Sequence, residues 1–108
     1  MSAQRIVFCT MPDTASAEKL AAKIVEAKLA ACVNLIPGLT SLYMWDNKLN
    51  KGTEVLLMIK TTTQAYAALE QHIHSGHPYE LPEIISVPID AGLPAYLQWI
   101  TDNSTVTL

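Results

Sequence analysis

The sequence predicts an α+β domain: one antiparallel sheet with two helices packed on one of its faces. Three observations carry this. Residues 31–63 read as one long hairpin, with a first arm Cys32–Trp45 and a second arm from about Lys48 to Thr61. Apolar residues at helical spacing occur once before that hairpin and once after it. A short apolar run at each end, RIVFCT and residues 84–89, supplies one further strand on either side.

In chain order, residues 5–10 are a short buried strand stopped at Met11-Pro12-Asp13, because proline cannot donate to a sheet ladder. Asp13 or Thr14 can cap the helix that follows. Ala17, Leu20, Ala21, Ile24 and Val25 recur at helical spacing, Leu29 extends the stripe, and the helix is expected to end near Ala30. In the hairpin, Pro37-Gly38 interrupts the first arm. Beyond it Leu39, Ser41, Tyr43 and Trp45 fall on one face and Thr40, Leu42 and Met44 on the other. Asp46-Asn47 is the expected turn, since both residue types tolerate positive φ. The unbroken apolar run Val55-Leu56-Leu57-Met58-Ile59 suits a strand covered on both faces.

Thr61 and Gln64 have capping-box spacing for a second helix, marked by Ala65, Leu69 and Ile73. Ser75-Gly76 is expected to end it, with the glycine in the left-handed position. Pro78 and Pro82 keep the next connection extended. Residues 84–89 form a Pro-bounded strand near an edge, and Pro94 opens a last short helix to about Thr101 with Tyr96, Leu97 and Ile100 on its apolar side. The tail NSTVTL is expected to be loose or paired with a neighbour. The order β-α-β-β-α-β plus a C-terminal helix is the ferredoxin-like arrangement, here one domain over 1–108.

Half the residues are hydrophobic and 16% are charged, which predicts a packed core and apolar surface left over for a partner chain. Net charge is −3 with no Lys/Arg cluster, which argues against nucleic acid and anionic membrane as partners. No apolar run approaches the ~20 residues of a membrane span, and the opening residues lack a signal-peptide core, so a cytoplasmic protein is expected. Cys9 and Cys32 are then reduced thiols.

Cys9 and His77 are residues of metal-ligating type, one on a strand and one on a non-helical connection. Thiolate and imidazole together suit Cu(I), Cu(II) or Zn(II), but two ligands do not close a site. Water, Glu80, Glu83 or a neighbouring subunit would have to complete it. The bland readings are a buried structural thiol for Cys9 and a surface or backbone-bonded imidazole for His77. Lys60, Tyr79 and Glu80 are further candidates for a cleft, with Glu83 beside them. His72 and His74 lie on opposite sides of the second helix and cannot chelate one ion together. No HExxH, CxxC, GxSxG, P-loop or GxGxxG is present, so neither an enzyme nor an organic cofactor is expected.

Three stretches, ACVNLIPGLTSLYMW, EVLLMIKT and HPYELPEI, resemble the divalent-cation tolerance protein family, CutA, and the likeness runs from RIVFCT to YLQWI. The resemblance implies a ferredoxin-like subunit, a homotrimer similar in form to PII-type signalling proteins, a cytoplasmic location and a link to copper and other divalent cations. It also implies copper ligands at Cys9 and His77, whose places match the family's proposed ligands. Gly76 stands where some members carry a further His, and Asn47 where members often carry Gly.

Assembly is expected from the residues as well. Each hairpin arm exceeds ten residues, beyond the ~5–6 of a typical strand, and an overhanging edge bearing aromatics is an aggregation hazard unless symmetry closes it. Tyr43, Trp45 and Leu57 are the expected interface residues. The leading expectation is a metal-responsive protein binding copper or another divalent cation. The alternative is a PII-like trimeric signalling or scaffold protein, binding a small metabolite or a protein at intersubunit clefts. A Cys-dependent enzyme is a third, weaker option.

Overall fold

The computed structural model describes residues 2–106; residues 107 and 108, the end of the β-prone tail, lie outside them. The elements are β1 (Gln4–Met11), α1 (Thr14–Glu26), β2 (Cys32–Trp45), β3 (Lys48–Thr62), α2 (Tyr66–Gly76), β4 (Ile84–Pro88) and α3 (Pro94–Asp102). The four strands form one antiparallel sheet in the order β2-β3-β1-β4. This is the ferredoxin-like order: α1 and α2 each cross between strands that are consecutive in sequence but not adjacent in the sheet.

The long hairpin forms because its turn and its break are both written in the residues. Asp46 and Asn47 take φ of 52° and 62°, the paired left-handed conformation of a tight hairpin turn whose twist matches the strands. At Pro37-Gly38 the register slips between Ile36 and Leu39, and Gly38 sits at φ 80°. The extra residues there make a β-bulge that uses glycine's freedom to turn the arm. The arms span 14 and 15 residues and draw the molecule out to 44 × 25 × 23 Å.

One sheet face carries the core. Val7, Cys9 and Met11 of β1 pair with Ile59, Leu57 and Val55 of β3. All six are buried together with Leu20 and Ile24 of α1 and Leu69 and Ile73 of α2. Asp13 caps α1 by accepting from the Ser16 amide at 2.7 Å. The helix stops at Glu26, earlier than its stripe implies. Lys28 adopts φ 60°, and the amides of Lys28 and Leu29 donate back to Val25 O and Ile24 O at 3.1 Å. That is a Schellman closure, which folds Leu29 onto the core from outside the helix and leaves Val25 exposed.

Several expectations need correction. Leu57 is not on an outer face: it is fully buried between the sheet and the helices, so no partner chain can reach it. Val55, Leu57 and Ile59 face the helices, whereas Leu56 and Met58 face the other way and are half-buried. Thr61 is a buried strand residue whose hydroxyl donates to Leu29 O at 2.7 Å; Thr62 Oγ1 instead accepts from the Ala65 amide. Gly76 is the last residue of α2 and does not take positive φ; the chain leaves the helix through an extended His77.

The second sheet face is covered at one end by α3, where Gln4 Nε2 donates to Leu97 O and Thr101 Oγ1. On the rest of that face lie Phe8, Leu56 and Met58, half-buried, and Ile36, Ile85 and Val87, exposed. It is an apolar surface of several large side chains in one contiguous register.

Candidate functional site

The end of the sheet away from α3 holds a cleft of about 570 Å³. Three parts of the chain shape it: the hairpin near its tip, β3 where it passes the bulge, and the extended connection from His77 to Glu83. Proline at 78 and at 82 keeps that connection out of helical conformation and lets it run along the sheet end. Tyr43, Trp45, Glu54, Tyr79, Glu80 and Glu83 all line the cleft. No Lys or Arg lines it among the described residues. Its fixed charges are therefore carboxylates, and its field favours cations.

Hydrogen bonds fix the connection in place. His77 Nε2 lies 2.9 Å from Thr10 O, and the Tyr79 amide donates to His77 Nδ1 at 3.0 Å. Nδ1 is thus an acceptor, and a carbonyl oxygen can only accept, so Nε2 carries the proton: a neutral imidazole with both nitrogens engaged. The rings of His77 and Tyr79 lie against each other, tilted, with centroids 4.9 Å apart. Tyr79 then donates its hydroxyl to Glu54 Oε2 at 2.8 Å. Burial first, and then this bond to a carboxylate, hold the Tyr79 phenol above its usual range, so it stays a donor. His77 is the pin of this arrangement and Tyr79–Glu54 is its latch.

The sequence-predicted site residues divide accordingly. Tyr79, Glu80 and Glu83 do line one cleft. Lys60 does not: it pairs with Ile6 and Cys32 toward the other end of β3, six residues or about 20 Å from Glu54. Tyr43 and Trp45, expected only at a subunit interface, form part of the cleft wall. Glu54 is a site residue that the sequence reading misses. Its one signal is that it is the last charged residue before the apolar run of the second arm, beside the bulge.

Cys9 and His77 come near one another, since both approach Thr10 O, with Cys9 Sγ at 3.8 Å. Each is otherwise engaged in this structure. Cys9 is fully buried, and desolvation, reinforced by the charges of Glu83 and Glu54, pushes its thiol up to about 12. A metal ligand must be the thiolate. Both His77 nitrogens are already committed to the backbone. Among the described residues no group of three His, Cys, Asp or Glu side chains is placed to hold an ion. In this structure Cys9 is a core thiol and His77 an imidazole bonded to backbone groups at both nitrogens, and the described residues of one subunit place no closed metal centre.

Known proteins agree on what kind of chain this is. Residues 5–103 match the family described as CutA1 divalent ion tolerance protein. A CutA homolog of Xenopus laevis is 50% identical over 95 residues, 88% of this chain but only 63% of that longer protein. The divalent-cation tolerance protein CutA of Thermus thermophilus is 42% identical over 94% of this chain and 98% of its own, and its solved structure superposes with a TM-score of 0.91. The apo structure of a protein described as the PII-like protein CutA from Nostoc sp. PCC 7120 superposes at 0.87, with 35% identity over 93% of this chain and 96% of its own. With the ferredoxin-like sheet and the long hairpin in place, the chain belongs to the CutA1 divalent ion tolerance family.

Proposed function

We propose that this chain acts as a cation-responsive homotrimer whose ligand site is the carboxylate-lined cleft rather than the Cys9–His77 pair. One observation carries the reading: Glu54, Glu80 and Glu83 line a single cleft that no Lys or Arg lines among the described residues. Carboxylate oxygens suit divalent cations broadly, without the softness that selects copper. One subunit supplies too few placed ligands for a closed site, so water or a neighbouring copy completes the shell. The same composition disfavours the anionic-metabolite form of the PII-like alternative, which needs fixed positive charge where this cleft has none.

The open sheet face is what supports assembly into a trimer. That face is apolar, and burying Phe8, Leu56, Met58, Ile85 and Val87 against other copies removes the hazard an exposed sheet would pose. The number three rests on the family resemblance. The chain is a binding protein rather than an enzyme in this reading, because Cys9, its strongest nucleophile candidate, is a buried thiol held protonated. A cytoplasmic setting suits its two unpaired cysteines.

Two measurements test this together. Sedimentation equilibrium is expected to give about three times the 11.8 kDa chain mass. Calorimetric titration with copper(II) and zinc(II) is expected to give unchanged binding in Cys9→Ala/His77→Gln and lost binding in Glu54→Gln/Glu80→Gln/Glu83→Gln. The opposite pattern would return the site to Cys9 and His77.

A further inference from the structure

A second groove, of about 360 Å³, runs through the helical layer between the first part of α1 and the last turns of α2. It shares only Pro78 with the carboxylate-lined cleft. Its walls follow from helix geometry. Ser16, Lys19, Leu20 and Lys23 stand at i, i+3, i+4 and i+7, one stripe of α1. His72, Ser75 and Gly76 stand at i, i+3 and i+4, one stripe of α2 across from it. A Cβ on Gly76 would meet open space, so the groove is unobstructed at that end. Met11 and Leu20, both buried, give it an apolar floor.

The groove is basic although the chain carries a net charge of −3. None of the 10 Asp and Glu residues lines it among the described residues. The acidic residues of α1 and its cap, Asp13, Glu18 and Glu26, stay outside the lining, and Asp13 is held on the Ser16 amide. Lys19 and Lys23 are exposed and one turn apart, close enough for both ammonium groups to reach one anion. Opposite them the half-buried His72 offers a ring N–H whether neutral or charged. The carbonyl end of α2 opposes an anion; the Ser75 hydroxyl offsets part of this by donating to His72 O at 3.0 Å. No residue of the hairpin or of β4 lines the groove, so assembly through the open sheet face leaves it accessible.

We infer that this groove binds a small phosphate monoester, with its anionic head between Lys19, Lys23 and His72 and its organic body over Leu20 and Pro78. A phosphate monoester carries a charge of about −1.5 to −2 near neutral pH, which matches two convergent ammonium groups better than a single carboxylate does. A purely charged patch would take inorganic phosphate equally well, whereas the apolar floor rewards carbon attached to the phosphate. The volume is near the lower end for small-molecule pockets, enough for a head group and a single ring or short chain. The inference is independent of the cation reading of the cleft.

The test is calorimetric titration of the full chain with phenyl phosphate, inorganic phosphate and benzyl alcohol, in buffer containing EDTA so that no metal bridges protein and phosphate. Phenyl phosphate is expected to bind saturably, about 5- to 10-fold tighter than inorganic phosphate, and benzyl alcohol is expected not to bind. Lys19→Gln and Lys23→Gln should each weaken phenyl phosphate about 5- to 10-fold, and the double variant should abolish its binding. Both lysines are exposed, so these variants keep the fold, which sedimentation and circular dichroism check. Lys28→Gln removes the same charge outside the lining and should leave binding within about twofold. No binding of phenyl phosphate at millimolar concentration overturns the inference. So does equal binding of inorganic phosphate, equal weakening by Lys28→Gln, or unchanged binding in the double lysine variant. A phosphotyrosine peptide with blocked ends that binds more than about tenfold tighter than phenyl phosphate overturns the assignment to a small molecule.

Discussion

Chemical modification of the two thiols is expected to separate Cys9 from Cys32 by orders of magnitude. Cys9 is fully buried among Val7, Leu57 and the helices, whereas Cys32 is half-buried at the start of β2. Alkylation proceeds through the thiolate. Raising the Cys9 thiol from 9.0 to about 12 cuts its thiolate fraction near neutral pH about a thousandfold, before any loss from restricted access. Iodoacetamide followed by intact-mass measurement should therefore add one label to the native protein, mapping to Cys32, and a second only in denaturant. The same displacement makes stability depend on pH. The folded state holds the Cys9 proton more tightly than the unfolded chain, so this contribution is fully present below about pH 9 and is lost as pH rises toward about 12. Three pH units set its ceiling at about 4 kcal/mol, and Cys9→Ala should flatten the alkaline limb of the stability profile. Labelling of Cys9 within tenfold of the rate of Cys32 in the native protein would refute the buried-thiol assignment, and with it the case against a Cys9 ligand.

The remaining predictions concern assembly and the cleft. Met58→Glu places a charge on the open face and should yield a folded but dissociated chain by sedimentation and circular dichroism. Leu57→Glu should unfold the subunit, because its carboxylate would be buried in the core. Equal behaviour of the two variants would contradict the assignment of faces. His77→Ala removes one hydrogen bond to Thr10 O and one from the Tyr79 amide, and should cost about 2–3 kcal/mol in urea unfolding at fixed protein concentration. His77→Ala should also speed hydrogen exchange at residues 78–83, and unchanged exchange there would deny His77 its role as the pin. Lys28→Gly should stabilise by about 0.5–1 kcal/mol in the same urea assay, since glycine meets the left-handed position of the helix closure without strain.

Local signals in this sequence are more legible than the facing of its strands. The hairpin arms, the Asp46-Asn47 turn and the Asp13 cap each rest on side chains acting within a few residues of themselves, and each stands in the structure. Alternation along β3 is visible in the residues, but which alternate set meets the helices depends on pairing with β1, about fifty residues away in sequence. Leu57 is misplaced by sequence reasoning for that reason. The early end of α1 turns on Lys28, a residue with no obvious reason to adopt positive φ until Leu29 is seen docking on the core. At the site, chemistry alone picks out ligand-type residues. It does not tell whether their lone pairs are available, because the partners of His77 are backbone groups at Thr10 and Tyr79. Glu54 acquires meaning only through Tyr79, 25 residues later.

Anomalous diffraction from crystals soaked in copper(II), and separately in zinc(II), locates the cation directly. The ion is expected in the cleft, against the carboxylates of Glu54, Glu80 or Glu83, with the His77 hydrogen bonds to Thr10 O and from the Tyr79 amide intact. An anomalous peak bonded to Cys9 Sγ and a His77 nitrogen, with either of those hydrogen bonds broken, would contradict the assignment of the cleft as the cation site.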